Sequence, residues 1–407
     1  MRVCTCGPST VTGVRPALRR RLDPALAPFA WSRAAIWAAA ILFAFWLRPD
    51  HTRAHGPTPG GSGYWYRLWA NWDGAWYAQI AHHGYGTNAG TAAFYPLYTG
   101  LLAILGRVLA GHYVAAGIVL SLAAAAAAFV LLRRLTELEL GEENARRATI
   151  ALAVFPLSFF LQAVYSESLF LALAVAAFYA ARRERWLVAS AAAALAFLTR
   201  PTALALWIAL LVLAWRSPLR SRALAYVAPT PIAFGLFPLL LQVQTGDALA
   251  FAHAETYWHR SVSSAGPLGG IYDGASAAAH GLHALFTTPT PPDWTYPANL
   301  TLPQVAAVNV EAFLWLVVFV ALTVVVWRAL GAAYGLFAAV SLAIPLAEPW
   351  NVFPLFSLPR FGLVIFPFFM ALAWLARTPR RATALLVAGA TLLAVDVARW
   401  ALWYWVA

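Results

Sequence analysis

The sequence predicts an all-α protein that crosses a membrane many times, and three observations carry that prediction. Hydrophobic residues make up 62% of the 407 positions and charged residues only 11%, where a soluble domain holds about 25% charged. Apolar runs recur along the chain at lengths near the roughly 20 residues that a helix needs to cross ~30 Å of hydrocarbon. Arginines stand in short clusters between those runs, as orientation signals do. The chain has no lysine, so its +12 net charge is arginine in excess of acid. A basic balance of this size is also a nucleic-acid signal, but the scatter of arginines between apolar runs argues against it, and no nucleic-acid partner is expected.

In chain order, residues 1–30 read as a basic cytoplasmic tail and 31–407 as a single transmembrane domain. Cys4 and Cys6 lie two apart in the tail, a spacing that neither staples a fold nor starts a metal site. The tail lacks an apolar stretch ahead of a small-residue cleavage site, so Trp31–Leu47 is expected to stay as a signal anchor. The further spans are 112–132, 148–164, 168–182, 185–199, 200–216, 223–243, 307–329, 331–348, 361–376 and 382–404. That makes about eleven. Residues 96–110 form an extra apolar stretch, read as an amphipathic helix lying in the interface.

Arginine placement supports that choice. The clusters are Arg19–Arg21, Arg133 with Arg134, Arg146 with Arg147, Arg182 with Arg183 and Arg185, Arg216 with Arg220 and Arg222, Arg328, and Arg377 with Arg380 and Arg381. All fall on the cytoplasmic side if 96–110 does not cross, and the later ones violate the positive-inside rule if it does. The first loop, 48–111, the turn Tyr165–Ser168, the junction Thr199–Pro201, the long loop 244–306 and the loop 349–360 then open outward together. Polar and aromatic residues concentrate there, as an active site at the outer membrane boundary requires.

The densest of these segments is Asn71–Tyr85, followed by Phe94–Tyr98. Trp72-Asp73, Tyr77, Ile80-Ala81, Gly84-Tyr85 and Phe94-Tyr95-Pro96-Leu97-Tyr98 resemble the pattern of the PIG-V type of mannosyltransferases, whose members include the second mannosyltransferase of GPI-anchor synthesis and bacterial relatives. The resemblance continues through Tyr165-Ser166-Glu167-Ser168-Leu169-Phe170, Thr199-Arg200, Thr245-Gly246-Asp247 with Trp258-His259-Arg260, and Leu358-Pro359-Arg360-Phe361. It covers roughly residues 65 to 376 in the expected order. Tyr95 stands where Phe-Phe is more usual, and Pro201 where eukaryotic members carry Ser-Asn after the arginine. The resemblance implies a bacterial member with a GT-C-like fold, a polyprenyl-phosphate-mannose donor, a lipid- or glycan-linked acceptor outside the cell membrane, and no cofactor.

Transfer from a polyprenyl phosphate needs a base for the acceptor hydroxyl, cations for the departing phosphate and a groove for the lipid. Phosphate is already a competent leaving group, so no second carboxylic acid is required, unlike in a glycosidase. Asp73 is the first candidate base, flanked by Trp72, Trp76 and Tyr77. An N-cap of an interfacial helix is the plainer reading of the same residue. Glu167 is the second candidate, an acid in an otherwise apolar hairpin. Arg200 and Arg360 sit at outer span ends, against the orientation bias. They suit phosphate or an ion pair with Glu167, and Arg260 suits phosphate, a sugar face or loop anchoring.

Trp72, Trp76, Tyr77, His82, His83, Tyr85, Tyr95, Tyr165, Asp247 and Trp258 are candidate sugar or acceptor contacts. Adjacent His82 and His83 are expected to point apart, with no acid at helical spacing, so no metal is expected. Asp396 and Arg399, three apart on the last span, read as an internal pair. A transporter or flippase also needs many spans, but it places polar groups near the midplane, often in repeats. The same chemistry with another hexose stays open.

Overall fold

The computed structural model describes residues 22–47, 63–287, 302–404 and 406. Cys4, Cys6, Arg19–Arg21, Asp50 and Arg53 fall outside them. Among the described residues the fold is all-α, and no strand is present beyond a single bridge between Arg260 and Trp350. Five helices are long and apolar enough to cross a membrane: Leu26–Leu47, Tyr113–Leu140, Arg220–Thr245, Pro303–Leu330 and Pro379–Ala401. At 1.5 Å per residue, the 22 residues of Leu26–Leu47 reach about 33 Å. The helices Glu167–Arg182, Trp186–Phe197, Ala203–Arg216 and Ala332–Leu346 are apolar but shorter, at 12 to 16 residues.

Small residues let the helices approach. Tyr113–Leu140 packs on Glu167–Arg182 along a face that includes the buried Ala124, Ala125 and Ala128. A Cβ at Gly117 would lie 2.5 Å from a methyl carbon of Val164. In lipid, where burying apolar surface gives helices no drive to associate, such close contact supplies it.

Proline breaks two of the expected spans and tightens a third, which stays long enough to cross. The run 148–164 is helical only to Val154, the end of the helix Glu142–Val154. Pro156 disfavours helical backbone at Phe155, and residues 155–166 continue as buried chain with one 3-10 turn at Ser158–Leu161. Their polar backbone finds a donor in Arg33 of the first helix, which is buried and donates from Nη1 to the Ser158 carbonyl and from Nη2 to Ser158 Oγ at 3.1 Å. The run 223–243 is interrupted by a 3-10 turn at Thr230–Gly235, beside Pro229 and Pro231. The run 361–376 divides into Leu358–Gly362 and Pro367–Leu375.

The long loop 244–306 holds more structure than its composition announces. It contains Ala250–Tyr257 and the 20-residue helix Pro267–Phe286, which packs along Pro303–Leu330. Gly270, Gly274, Ala278 and Gly281 form the buried stripe. A Cβ on Gly270 would come 2.1 Å from the Leu346 carbonyl oxygen, and one on Gly281 2.8 Å from that of Ala306. The first loop folds into Tyr64–Arg67, Asp73–His83 and Pro96–Val108.

Candidate active site

Two helices begin with an acid, and both acids meet one arginine. Asp73 is the first residue of Asp73–His83, after Trp72 turns the chain at φ 49°. Its side chain caps nothing. Arg360 donates from Nη1 to Asp73 Oδ2 at 2.6 Å, and Oδ1 accepts no hydrogen bond among the described residues. Glu167 is the first residue of Glu167–Arg182, with its side chain 1% exposed. Its Oε1 lies 3.3 Å from Arg360 Nε and 2.7 Å from Arg200 Nη1. Helix starts favour negative charge, so each acid is stabilised by its own helix as well as by its arginine.

The sequence places both arginines at breaks. Arg200 follows the helix Trp186–Phe197 at a turn, ahead of Pro201. Arg360 lies in the short helix Leu358–Gly362, entered through Ser357 at φ 61°. Together Asp73, Arg360, Glu167 and Arg200 form one ion-paired chain whose formal charges cancel.

Hydrogen bonds within the chain are incomplete. Arg200 Nη1 donates to Ser166 Oγ at 3.2 Å, and Tyr77 donates to the same oxygen at 2.8 Å. Among the described residues neither Glu167 oxygen takes a hydrogen bond of good geometry, and Arg360 Nε, Ser168 Oγ and Ser357 Oγ are buried without a hydrogen-bond partner. Buried polar groups are rarely left so, and hydroxyl-rich ligands satisfy donors and acceptors alike. The contact to Glu167 is therefore chiefly one of charge, with capacity left for a ligand.

Arg260 stands beside this chain. Its guanidinium lies 5.8 Å from the Phe361 ring centre, with those of Arg200 at 5.4 Å and Arg360 at 5.6 Å from the same ring. Its backbone bridges to Trp350, and it makes no ion pair among the described residues. Burial pulls it below its ordinary pKa, opposed by the charges of Glu255 and Glu348. Burial in turn raises Glu255, opposed by Arg260 and reinforced by Glu348.

The expected sugar contacts divide. Tyr77 and Tyr165 belong to the cluster: Tyr165 donates to the Asn71 carbonyl at 2.9 Å, and the Arg360 guanidinium lies 5.3 Å from its ring. Tyr85 is buried and bonds the Phe94 carbonyl at 2.7 Å, and Tyr95 packs on Phe234 and Phe237. Trp76 stacks near Phe94 and Trp258, and Trp258 donates to the Gly90 carbonyl at 3.1 Å. Asp247 pairs with His253 at 2.7 Å and accepts from Leu249 N, in an exposed turn; these bonds hold its carboxyl below the usual range. His82 and His83 do not point apart. His82 Nδ1 and His83 Nε2 are 2.8 Å apart, because the helix is at its last turn there. No group of three or more His, Cys, Asp or Glu among the described residues has metal-site geometry.

Sequence reasoning missed Ser166, which joins Tyr77 to Arg200, and Trp400. Trp400 reaches from the last long helix to donate to the Leu68 carbonyl at 3.0 Å and packs 4.8 Å from Trp72. Asp396 does pair with Arg399, at 3.1 Å, and Glu311 joins them at 2.9 Å. A cavity of about 870 Å³ opens on the other face of Asp73–His83, where Ala75, Ala78, Gln79 and His82 follow helical spacing.

Two solved structures align with this chain at low similarity. The Archaeoglobus fulgidus oligosaccharyltransferase in its apo form is 14% identical with a TM-score of 0.43, over 92% of this chain and 56% of that one. The same oligosaccharyltransferase tethered by a disulfide to an acceptor peptide is 15% identical with a TM-score of 0.42, over 92% and 55%. The chain thus spans little more than half the length of those enzymes. No curated protein matches it. The model of the family described as Mannosyltransferase (PIG-V) matches residues 62–218. That segment, less than half of the chain, carries Asp73, Glu167 and Arg200 and is what is similar to the PIG-V mannosyltransferases.

Proposed function

We propose that the protein is a multi-pass enzyme of the cell membrane that transfers mannose, with inversion, from polyprenyl-phosphate mannose to a lipid- or glycan-linked acceptor on the non-cytoplasmic face. The observation that carries this reading is the ion-paired chain Asp73–Arg360–Glu167–Arg200 with Arg260, which makes no close ion pair among the described residues, beside it.

In the reaction, the acceptor hydroxyl oxygen forms a bond to the anomeric carbon as the bond from that carbon to the phosphate oxygen breaks. The electron pair leaves with the phosphate, and the hydroxyl proton passes to Asp73. A single displacement inverts the anomeric centre. The phosphate carries one negative charge while it is esterified to the sugar, and a second develops as the sugar leaves. Cations beside it therefore stabilise the transition state more than the bound donor, which is the condition for catalysis.

Arg200 and Arg360 are already held by Glu167 and Asp73, whereas Arg260 feels Glu255 and Glu348 without a close ion pair among the described residues, and we give it the role of attracting the donor phosphate. As the phosphate draws Arg360, Asp73 Oδ2 is released to accept the proton. Glu167 keeps both arginines aligned. The proposal is tested by incubating membranes that contain the protein with radiolabelled polyprenyl-phosphate mannose and identifying the labelled product. Transfer to a lipid- or glycan-linked product with an inverted anomeric bond is expected, and transfer only from another sugar donor, or none, would reject the donor.

A further inference from the structure

We infer that the cavity of about 870 Å³ on the outward face of Asp73–His83 is a saccharide subsite, which holds the non-reacting sugars of the acceptor. The acceptor role rests on the transferase reading above; the saccharide chemistry rests on the cavity alone.

Its volume falls within the roughly 300–1,000 Å³ of small-molecule sites. Trp72, Trp76 and Trp403 are among the residues that line it, and the C–H faces of pyranose rings pack on aromatic side chains because the ring face is electron-rich. Asn71, Gln79, His82 and Arg67 supply planar hydrogen-bonding edges. Val114 is the only branched aliphatic residue among those lining it, and no carboxylate does so. A lipid chain would ask for a wall of Leu, Ile and Val, and a reacting hydroxyl would ask for a base.

A second observation is independent of the cavity's shape. Asn71 is 2% exposed, and among the described residues neither its amide nitrogen nor its amide oxygen has a hydrogen-bond partner; Trp403 Nε1 is buried and likewise has none among them. Both residues line the cavity. An adjacent donor–acceptor pair and a lone donor match the vicinal hydroxyls of a sugar.

The position explains the purpose. Asn71 and Trp72 line the cavity, while the next residue, Asp73, faces Arg360 on the opposite side. Sugars held here lie one residue along the backbone from the base, close enough to orient an acceptor and too far to react. Binding energy from remote sugars then positions the reacting hydroxyl.

The test is a titration of the full chain in lipid nanodiscs, free of saccharide detergent, followed by tryptophan fluorescence. The probes are mannotriose, methyl α-D-mannopyranoside and 1-octanol, and the variants are Gln79→Leu and His82→Leu, both at exposed positions that keep the helix. A saturable change with mannotriose is expected, tighter than with the monosaccharide and unaffected by octanol, with its midpoint raised at least tenfold in each variant. No saturable change, equal midpoints in the variants, or displacement by octanol would overturn the subsite. Because binding needs no turnover, a protein that binds mannotriose in this way yet transfers no mannose would refute the transferase reading and leave the saccharide site standing.

Discussion

Arg360 touches Asp73 through Nη1 and Glu167 through Nε, so a single guanidinium joins two acids that begin two different helices. The two acids are held alike but differ in access, since the side chain of Asp73 is 23% exposed and that of Glu167 is 1% exposed. Under the roles proposed above, access separates a base that must meet an acceptor from an acid that aligns its neighbours, and it orders the following expectations.

Asp73→Asn keeps the size of the side chain and removes the proton acceptor. Turnover of polyprenyl-phosphate mannose should fall by roughly 10²–10⁴-fold, the contribution of a positioned base, with protein level in the membrane unchanged. Asp73→Glu should recover little, because geometry is what the site supplies. Turnover of the Asn variant within a few-fold of wild type would pass the role to Glu167.

Arg200→Ala leaves Glu167 buried beside one arginine in place of two. Removing one partner of a buried pair costs about 3–5 kcal/mol, so thermal stability in detergent should drop sharply. The double change Arg200→Ala with Glu167→Gln should recover much of that loss, because the uncompensated charge is gone. A double variant no more stable than Arg200→Ala would remove the ion pair from the account.

Arg260→Ala should weaken use of the donor, seen as a raised KM for polyprenyl-phosphate mannose, with Arg260→Lys recovering part of it because a lysine supplies charge without the fork. An unchanged donor KM in Arg260→Ala would return the phosphate-attracting role to Arg200 or Arg360.

Glu255 is pushed above its ordinary pKa by burial. A carboxyl raised on folding favours the folded state below its unfolded pKa, and that contribution is lost as pH rises through the folded value. Glu255→Gln should therefore match wild type in melting temperature at acid pH and exceed it increasingly towards neutral pH. A gap that is constant with pH, or opens in the other direction, would contradict the burial assigned to Glu255.

Sidedness is testable with single cysteines in a chain free of Cys4 and Cys6. Thr87→Cys should react with an impermeant thiol reagent on intact cells and Glu142→Cys should not, since arginine clusters flank only the second. The reverse pattern would move the reaction to the cytoplasmic face.

The helical class and the residues of the cluster were legible in the sequence, because acids and arginines at the ends of apolar runs stand out by charge alone. Their pairing was not. Nothing local to Asp73 points 287 positions ahead to Arg360, and an arginine suited to phosphate is equally suited to a carboxylate. The ends of the broken helices were signalled by Pro156, Pro229, Pro231 and Pro367, whose effect on an apolar run outweighs hydropathy. Pro267–Phe286 escaped because its packing stripe is Gly and Ala, and the same residues compose flexible loops. Arg33 was passed over as one charge inside a first span, and the cavity's lining could not be read at all, since Trp403 and Asn71 are far apart in sequence.

Arg33 changes what the first helix is for. An anchor is interchangeable: any apolar stretch of the right length inserts and orients. This one carries the donor that the carbonyl and hydroxyl of Ser158 require, in a run of backbone that has left the helical path where lipid offers no substitute. During synthesis the helix must therefore remain beside the later segments until residue 158 arrives, over more than a hundred residues of growing chain. A generic anchor in its place would deliver the chain to the membrane and still leave the Ser158 carbonyl and hydroxyl without the donor they have here.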